Sequence, residues 1–238
     1  PGAQALSRHG PPTAEAKTGY GLELESELRQ MQVLLEIGRR GPLEIVPTYL
    51  GAHMIAPEYT ADPDAYTEIV AAGQLPALAA WWAEHAPDRP LPFVDVFCET
   101  GAFTLAQSRR ILQAARDLGF PLKIHADEFD NLGGASLAAE LGAASADHLV
   151  KTSPEDMRAM AAAGTVAVSL PCTPFGLADP HYTPARDILA AGGTFDKRYD
   201  PISGTLGFGD SHLHEIVARA RLAQPVAVEV AMLIDSLE

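Results

Sequence analysis

One pattern constrains this chain more than any other: a short β-rich run is followed by an amphipathic segment that opens on a capping residue and stops near a glycine, and the unit recurs. Such alternation lays strands side by side in parallel, because a parallel pair needs a long crossover and a covering helix supplies it. The spacing predicts helices over residues 23–40, 104–118, 153–164 and 183–192. In the first, Leu24, Leu28, Met31 and Leu35 mark one face, glutamates crowd the start, arginines the end, and Gly41 follows. Thr104 and Gln107 have the spacing of a reciprocal cap, with Gly119 as the stop. Ser153-Pro154-Glu155-Asp156 joins a hydroxyl cap to a first-turn proline and two acids, Gly164 closes that helix, and Thr183-Pro184 repeats the device. Between the helices lie six runs short enough for buried strands, residues 13–18, 44–50, 93–98, 122–125, 146–150 and 166–170. The opening twelve residues hold three prolines, two glycines and no apolar period, and are expected to be loop.

Composition bounds what such a chain does. With 47% apolar and 20% charged residues, buried surface offsets the entropy of ordering, so a disordered chain is excluded. At 238 residues the length suits one barrel, which typically needs ~250. Seventeen basic and thirty-one acidic residues give a net charge of −14, which repels nucleic acid and anionic membranes, and no basic patch opposes it. The longest apolar stretch, residues 75–83, is interrupted by Pro76 and is far short of the ~20 residues that span a bilayer. The first twenty residues lack signal-peptide order, and Cys98 and Cys172 cannot build a disulfide framework, so a cytoplasmic setting is expected.

Polar residues gather where the runs end: His53 after the second, Glu99 after the third, His125 and Glu128 after the fourth, His148 on the fifth. In parallel α/β folds those carboxyl ends converge on one face, where active sites are built. A lone histidine there is more often structural, but three on separate units are harder to dismiss. In Lys123-Ile124-His125-Ala126-Asp127-Glu128 the strand delivers an imidazole while a carboxylate three residues on reaches the same cavity. That pair suits a metal ion and proton transfer from its water. The plainer alternative makes His125 a core residue and Asp127, Glu128 and Asp130 a solvated loop. Lys17-Thr18-Gly19-Tyr20-Gly21 flanks a tyrosine with glycines, permitting close approach to a ligand, and Leu50-Gly51-Ala52-His53 has a similar shape.

Together, residues 17–22, Val46-Pro47-Thr48-Tyr49-Leu50-Gly51-Ala52-His53, Val94-Asp95-Val96-Phe97-Cys98-Glu99, residues 123–128 with Asn131-Leu132-Gly133-Gly134, and Ser145-Ala146-Asp147-His148 resemble the imidazolonepropionase family of the amidohydrolase superfamily. The resemblance runs with nearly collinear spacing over residues 6–194. It implies a metal-dependent hydrolase of (β/α)8 TIM-barrel type that opens 4-imidazolone-5-propanoate with water, giving N-formimidoyl-L-glutamate in histidine degradation. It further implies one divalent ion, zinc or iron, held by His125, with Asp200 in register as a second ligand. Glu128 becomes the acid/base, His148 the stabiliser of water or oxyanion, and Tyr20 and His53 substrate contacts.

The family's upstream His-x-His ligand pair, small β-sandwich and carboxylate-binding arginine have no match, so residues 1–238 are expected to be one partial barrel domain. After residue 194 the pattern diverges: Asp196, Lys197 and Arg198 suit a buried strand poorly. Asp210-Ser211-His212-Leu213-His214 is either a rearranged strand bringing His212 and His214 to the metal or, the favoured reading, a helix capped by Ser211. Residues 226–230 remain open between strand and helix. The alternatives to imidazolonepropionase are a catalytically silent barrel homologue acting as a binding or assembly module, and an amidohydrolase acting on another cyclic amide. The expected partners are a small-molecule substrate and, through exposed sheet edges, further copies of the chain in a homo-oligomer, without nucleic acid or membrane.

Overall fold

The computed structural model describes residues 2–8, 11–191, 197–200 and 205–208. They fall into two compact units, Pro1–Pro184 and Ala185–Glu238. In the first, β1 (Thr13–Lys17), β2 (Glu44–Ala52), β3 (Phe93–Cys98), β4 (Lys123–Ala126), β5 (Ser145–His148) and β6 (Val166–Val168) form one sheet. Every neighbouring pair is parallel and the spatial order is the chain order, β1-β2-β3-β4-β5-β6. A doubly wound sheet reverses its order at a switch point; a sheet that only advances is wound as a barrel is. The fold is therefore α/β, with six parallel strands in the winding of a (β/α)8 barrel.

Helices cover one face of the sheet. α2 (Leu24–Arg40) begins at Glu23, whose carboxylate accepts from the amides of Glu25 and Ser26, and it buries Met31 and Leu35. α5 (Leu105–Asp117) carries the reciprocal Thr104–Gln107 cap, and α7 (Pro154–Ala163) the Ser153–Asp156 equivalent. Against them pack Val94, Val96, Cys98, Ile124, Ala126 and Ala146, all essentially inaccessible. α6 (Gly134–Leu141) packs tightly on β4: a Cβ on Gly134 would lie 2.7 Å from that of Ala126.

One expectation needs correcting, and several elements had no assignment from the sequence. The opening is not all loop, since α1 spans Gly2–Ser7. Ala3, Gln4, Ala5 and Leu6 are strong helix formers with prolines only outside the helix, and it buries nothing, so no apolar period betrays it. Residues 63–85, unassigned from sequence, hold α3 (Pro63–Glu68), a π-helical stretch (Ile69–Gln74) and α4 (Leu75–His85). Pro76 has no N–H for the turn before it, and the widened stretch directly ahead is where the regular ladder is interrupted. α6 and the short α8 (Cys172–Gly176) were also missed.

In the second unit, α9 (Ala185–Ala190) falls within the helix expected over 183–192. β7 (Lys197–Asp200) pairs antiparallel with β8 (Thr205–Phe208) as a hairpin. The possibilities raised for residues 210–214 and 226–230 lie outside the described residues. Among the described residues no helix is long and apolar enough to cross a membrane.

Candidate metal and catalytic site

Alternation along the strands sends Lys17, Asp95, Lys123, His125 and Asp147 to the face opposite the helices. These side chains meet. The Lys17 ammonium lies 2.8 Å from Glu15 Oε1, 2.8 Å from Asp95 Oδ2 and 3.3 Å from Asp147 Oδ2. Lys123 Nζ is 3.0 Å from Glu15 Oε2, and His125 Nδ1 is 2.9 Å from Asp95 Oδ2. Burial alone would raise the Asp95 carboxyl, yet His125 and Lys17 hold it well below the usual carboxylate range. Burial likewise works against protonating His125, but Asp95 outweighs it and leaves the imidazole above its ordinary value.

The backbone after β4 brings the acids to the rim. Asp127 adopts a left-handed conformation, φ 57°, strain of about 1–3 kcal/mol for a residue with a Cβ. It is held from the β5 side, where Thr152 Oγ1 donates to Asp127 Oδ2 at 2.7 Å and the Lys151 amide donates to Asp127 O at 2.7 Å. Burial pushes the Asp127 carboxyl up to about 6. The turn delivers Glu128, whose carboxyl is raised by burial and whose Oε2 is 3.5 Å from His148 Nδ1. Strict alternation would send His148 to the helix side with Ala146. Its own left-handed backbone, φ 81°, breaks the alternation, and the ring ends 5.2 Å from that of His125, centroid to centroid. Burial, with the His125 charge beside it, lowers His148 to about 4, so it is neutral at pH 7.

Tyr20 and His53 sit further along the same rim. Their rings meet edge to face at 5.3 Å, His53 lies 5.9 Å from Phe97, and Phe97 lies 6.0 Å from His125. Tyr20 is 84% exposed, on a loop whose amides at Gly19, Gly21 and Leu22 donate to the wholly buried Glu27 carboxylate at 2.9, 2.7 and 3.0 Å. Gly19, at φ 113°, has no space for a Cβ, which would fall 2.8 Å from Leu50 O. The structure thus brings together Tyr20, His53, His125, Glu128 and His148. Asp200 closes β7 in the second unit and its side chain lies outside the described residues, as do His212 and His214.

Sequence reasoning missed Lys17, Asp95 and Asp147 as one cluster, and it left Glu27 and Glu99 without roles. Asp95, His125 and Asp147 each offer a ligand atom within 4.8 Å of the others, a donor set of imidazole and carboxylate that fits a divalent cation. Buried Nδ1 of both His125 and His148, and Oδ1 of Asp95, have no well-aligned hydrogen-bond partner among the described residues. Lys17 offsets only one of the two aspartate charges, so the cluster keeps negative charge that a cation would balance.

No protein-family profile matches the chain. Individual relatives do. It is 46% identical over 205 residues to an imidazolonepropionase of Herpetosiphon aurantiacus, covering 86% of this chain and 48% of that protein. Against the imidazolonepropionase of Syntrophobacter fumaroxidans the identity is 51% over 183 residues, 77% of this chain and 41% of the relative. The chain is homologous to imidazolonepropionase. It spans about half the length of the curated relatives it matches. A triazine hydrolase from Arthobacter aurescens (TM-score 0.56, 15% identity, 82% of this chain and 46% of that one) shares the fold. So does an amidohydrolase from a Sargasso Sea sample (TM-score 0.53, 19% identity, 82% and 46%). The segments that resemble imidazolonepropionase, residues 17–22, 46–53, 94–99, 123–128 and 145–148, are those that build the rim and the cluster beneath it.

Proposed function

We propose that this chain carries part of the catalytic barrel of an imidazolonepropionase, hydrolysing 4-imidazolone-5-propanoate to N-formimidoyl-L-glutamate in histidine degradation. The observation that carries the reading is the convergence of His125, Glu128 and His148, from two neighbouring βα units, within 3.5 Å and 5.2 Å contacts. His125 would hold one divalent ion, zinc or iron, with Asp95 and Asp147 offering the neighbouring ligand atoms. When bound, that ion supplies an acidified water and polarises the ring carbonyl. Glu128 takes a proton from the attacking water and returns it to the ring nitrogen as the carbon–nitrogen bond breaks; its raised carboxyl suits both steps. His148, uncharged at pH 7, donates an N–H to the developing oxyanion. Tyr20 and His53 contact the substrate from the far end of the aromatic wall. On this reading residues 1–238 act as one barrel-derived domain in the cytoplasm. Among the described residues β1 and β6 end the sheet, and further copies of the chain associate through them.

A second reading, a metal-free homologue that serves only in assembly, is favoured by one observation: the Lys17 ammonium sits where a cation would neutralise Asp95 and Asp147. Metal analysis with a turnover assay separates them. Stoichiometric zinc or iron, loss of imidazolonepropionate absorbance, and a Glu128→Gln variant that keeps its metal while slowing about 10²- to 10⁴-fold are expected. A metal-free, inert chain overturns the hydrolase reading.

A further inference from the structure

Glu99, directly after β3, is 1% exposed and has no role in the reaction just described. Its carboxylate is nonetheless full. Oε2 accepts from the backbone amides of Glu128 and Phe129, both at 3.0 Å, and Oε1 from those of Asp130 and Thr100, both at 3.0 Å. Three of these donors are successive residues of the loop that carries Glu128, 29 to 31 positions away in the chain. Successive N–H groups that follow a left-handed residue, here Asp127, form a concave nest that attracts an anion. Usually the anion is a ligand; in this protein it is a side chain supplied by the neighbouring strand.

We propose that Glu99 is a positioning residue: its buried carboxylate closes the 128–130 nest and so fixes the backbone that presents Glu128 to His148. The strain at Asp127 explains why a clamp is needed, since a free loop would relax out of the left-handed conformation. Thr152 and Lys151 hold this turn from the β5 side and Glu99 holds it from β3, so Glu128 is fixed between two strands. A glutamine of the same shape cannot substitute, because its NH2 faces amide donors with another donor. The inference rests on the hydrolase reading only in calling Glu128 the acid/base; the clamp itself is a matter of hydrogen bonds.

The test is Glu99→Gln in the full chain, read by amide hydrogen exchange and by the NMR signals of the His148 ring. Hydrogen bonds to a charged acceptor are strong enough that exchange at Glu128, Phe129 and Asp130 should quicken about 10- to 100-fold, with the amides of α5 unchanged. The His148 ring signals should move as they do in Glu128→Gln, a signature that general loss of stability would not reproduce. With substrate, kcat should fall while KM stays within about twofold, since Glu99 bonds only to backbone amides and not to the proposed substrate contacts Tyr20 and His53. Unchanged exchange in the loop, an equal rise across α5, or unmoved His148 signals overturns the proposal. Should the variant not fold, the wild type decides: loop amides at least about 10-fold protected support the clamp, and exchange at free-chain rates refutes it. If loop and ring respond as expected in a protein inert toward imidazolonepropionate, the clamp stands and the hydrolase reading falls.

Discussion

Replacing Lys17 with methionine, which keeps the stem and deletes the charge, tests the electrostatic base of the site. Glu15, Asp95 and Asp147 carry three negative charges against two ammonium groups, Lys17 and Lys123, so the cluster stands at −1 when His125 is neutral and at zero when it is protonated. The variant shifts both by one. The side chains of Asp95 and Asp147 are 0% and 3% exposed, so water cannot take over the lost contacts. Breaking a buried pair typically costs 3–5 kcal/mol; Lys17 itself is 22% exposed, which places the expected loss near the lower end, about 3 kcal/mol. The cost must also depend on pH. Lys17 is a positive neighbour that opposes protonation of His125, while Asp95 favours it. Without Lys17 the imidazole holds its proton more tightly still. A histidine whose folded pKa lies above the unfolded value of about 6.5 contributes stability that is complete below 6.5 and disappears as pH rises through the folded value. Urea unfolding of chelator-treated wild type and Lys17→Met at pH 6 and pH 8.5 should therefore give the larger penalty at pH 8.5, with Lys17→Arg close to wild type at both. A penalty that is the same at the two pH values, or below about 1 kcal/mol at pH 8.5, refutes the cluster as a set of buried counter-charges.

Two other perturbations reach the rim from different sides. Gly134→Ala puts a Cβ 2.7 Å from Ala126 Cβ and 3.4 Å from Cys98 Sγ, so α6 must move off β4. Overpacking of about 1–3 kcal/mol exceeds the roughly 0.5–1 kcal/mol that alanine returns in a helix, and thermal unfolding should show a Tm lower by about 2–8 °C; an unchanged or higher Tm contradicts the packing. Acid stability carries two opposed contributions. His148, lowered to about 4 by burial, contributes stability that is complete above pH 6.5 and lost as pH falls through 4. Asp127, raised to about 6 by burial, contributes stability that is complete below about 3.8 and lost as pH rises through 6. The two offset each other between pH 4 and 6.5, so relative to wild type His148→Gln should gain stability on acidification and Asp127→Asn should lose it. Identical pH slopes for both variants and the wild type would sink this assignment.

What could be read from the sequence was local. The Thr104–Gln107 and Ser153–Asp156 caps close within four residues, and both helices stand where they were expected. The strand ends were legible for the same reason, and with them His53, His125, Glu128 and His148. The cluster beneath is another matter, since Lys17 and Asp147 are 130 residues apart and only register across five strands unites them. His148 also reached the site by a route that alternation denies, through a left-handed backbone that no residue type announces. Glu27 and Glu99 look in sequence like solvated acids, because their partners are backbone amides, which every residue has. Yet a trace was present. In β3 and the residue after it, Asp95 and Glu99, with Phe97 between them, alternate with Val94, Val96 and Cys98, and in β4 Lys123 and His125 alternate with Ile124 and Ala126. A parallel strand with helices on one face should be apolar there and need not be on the other; charged residues alternating with apolar ones in such a strand therefore mark a sheet whose second face carries charge. In a sheet that winds as a barrel does, that face is the interior. Its charges then need either one another or a cation, and in this chain both are in reach.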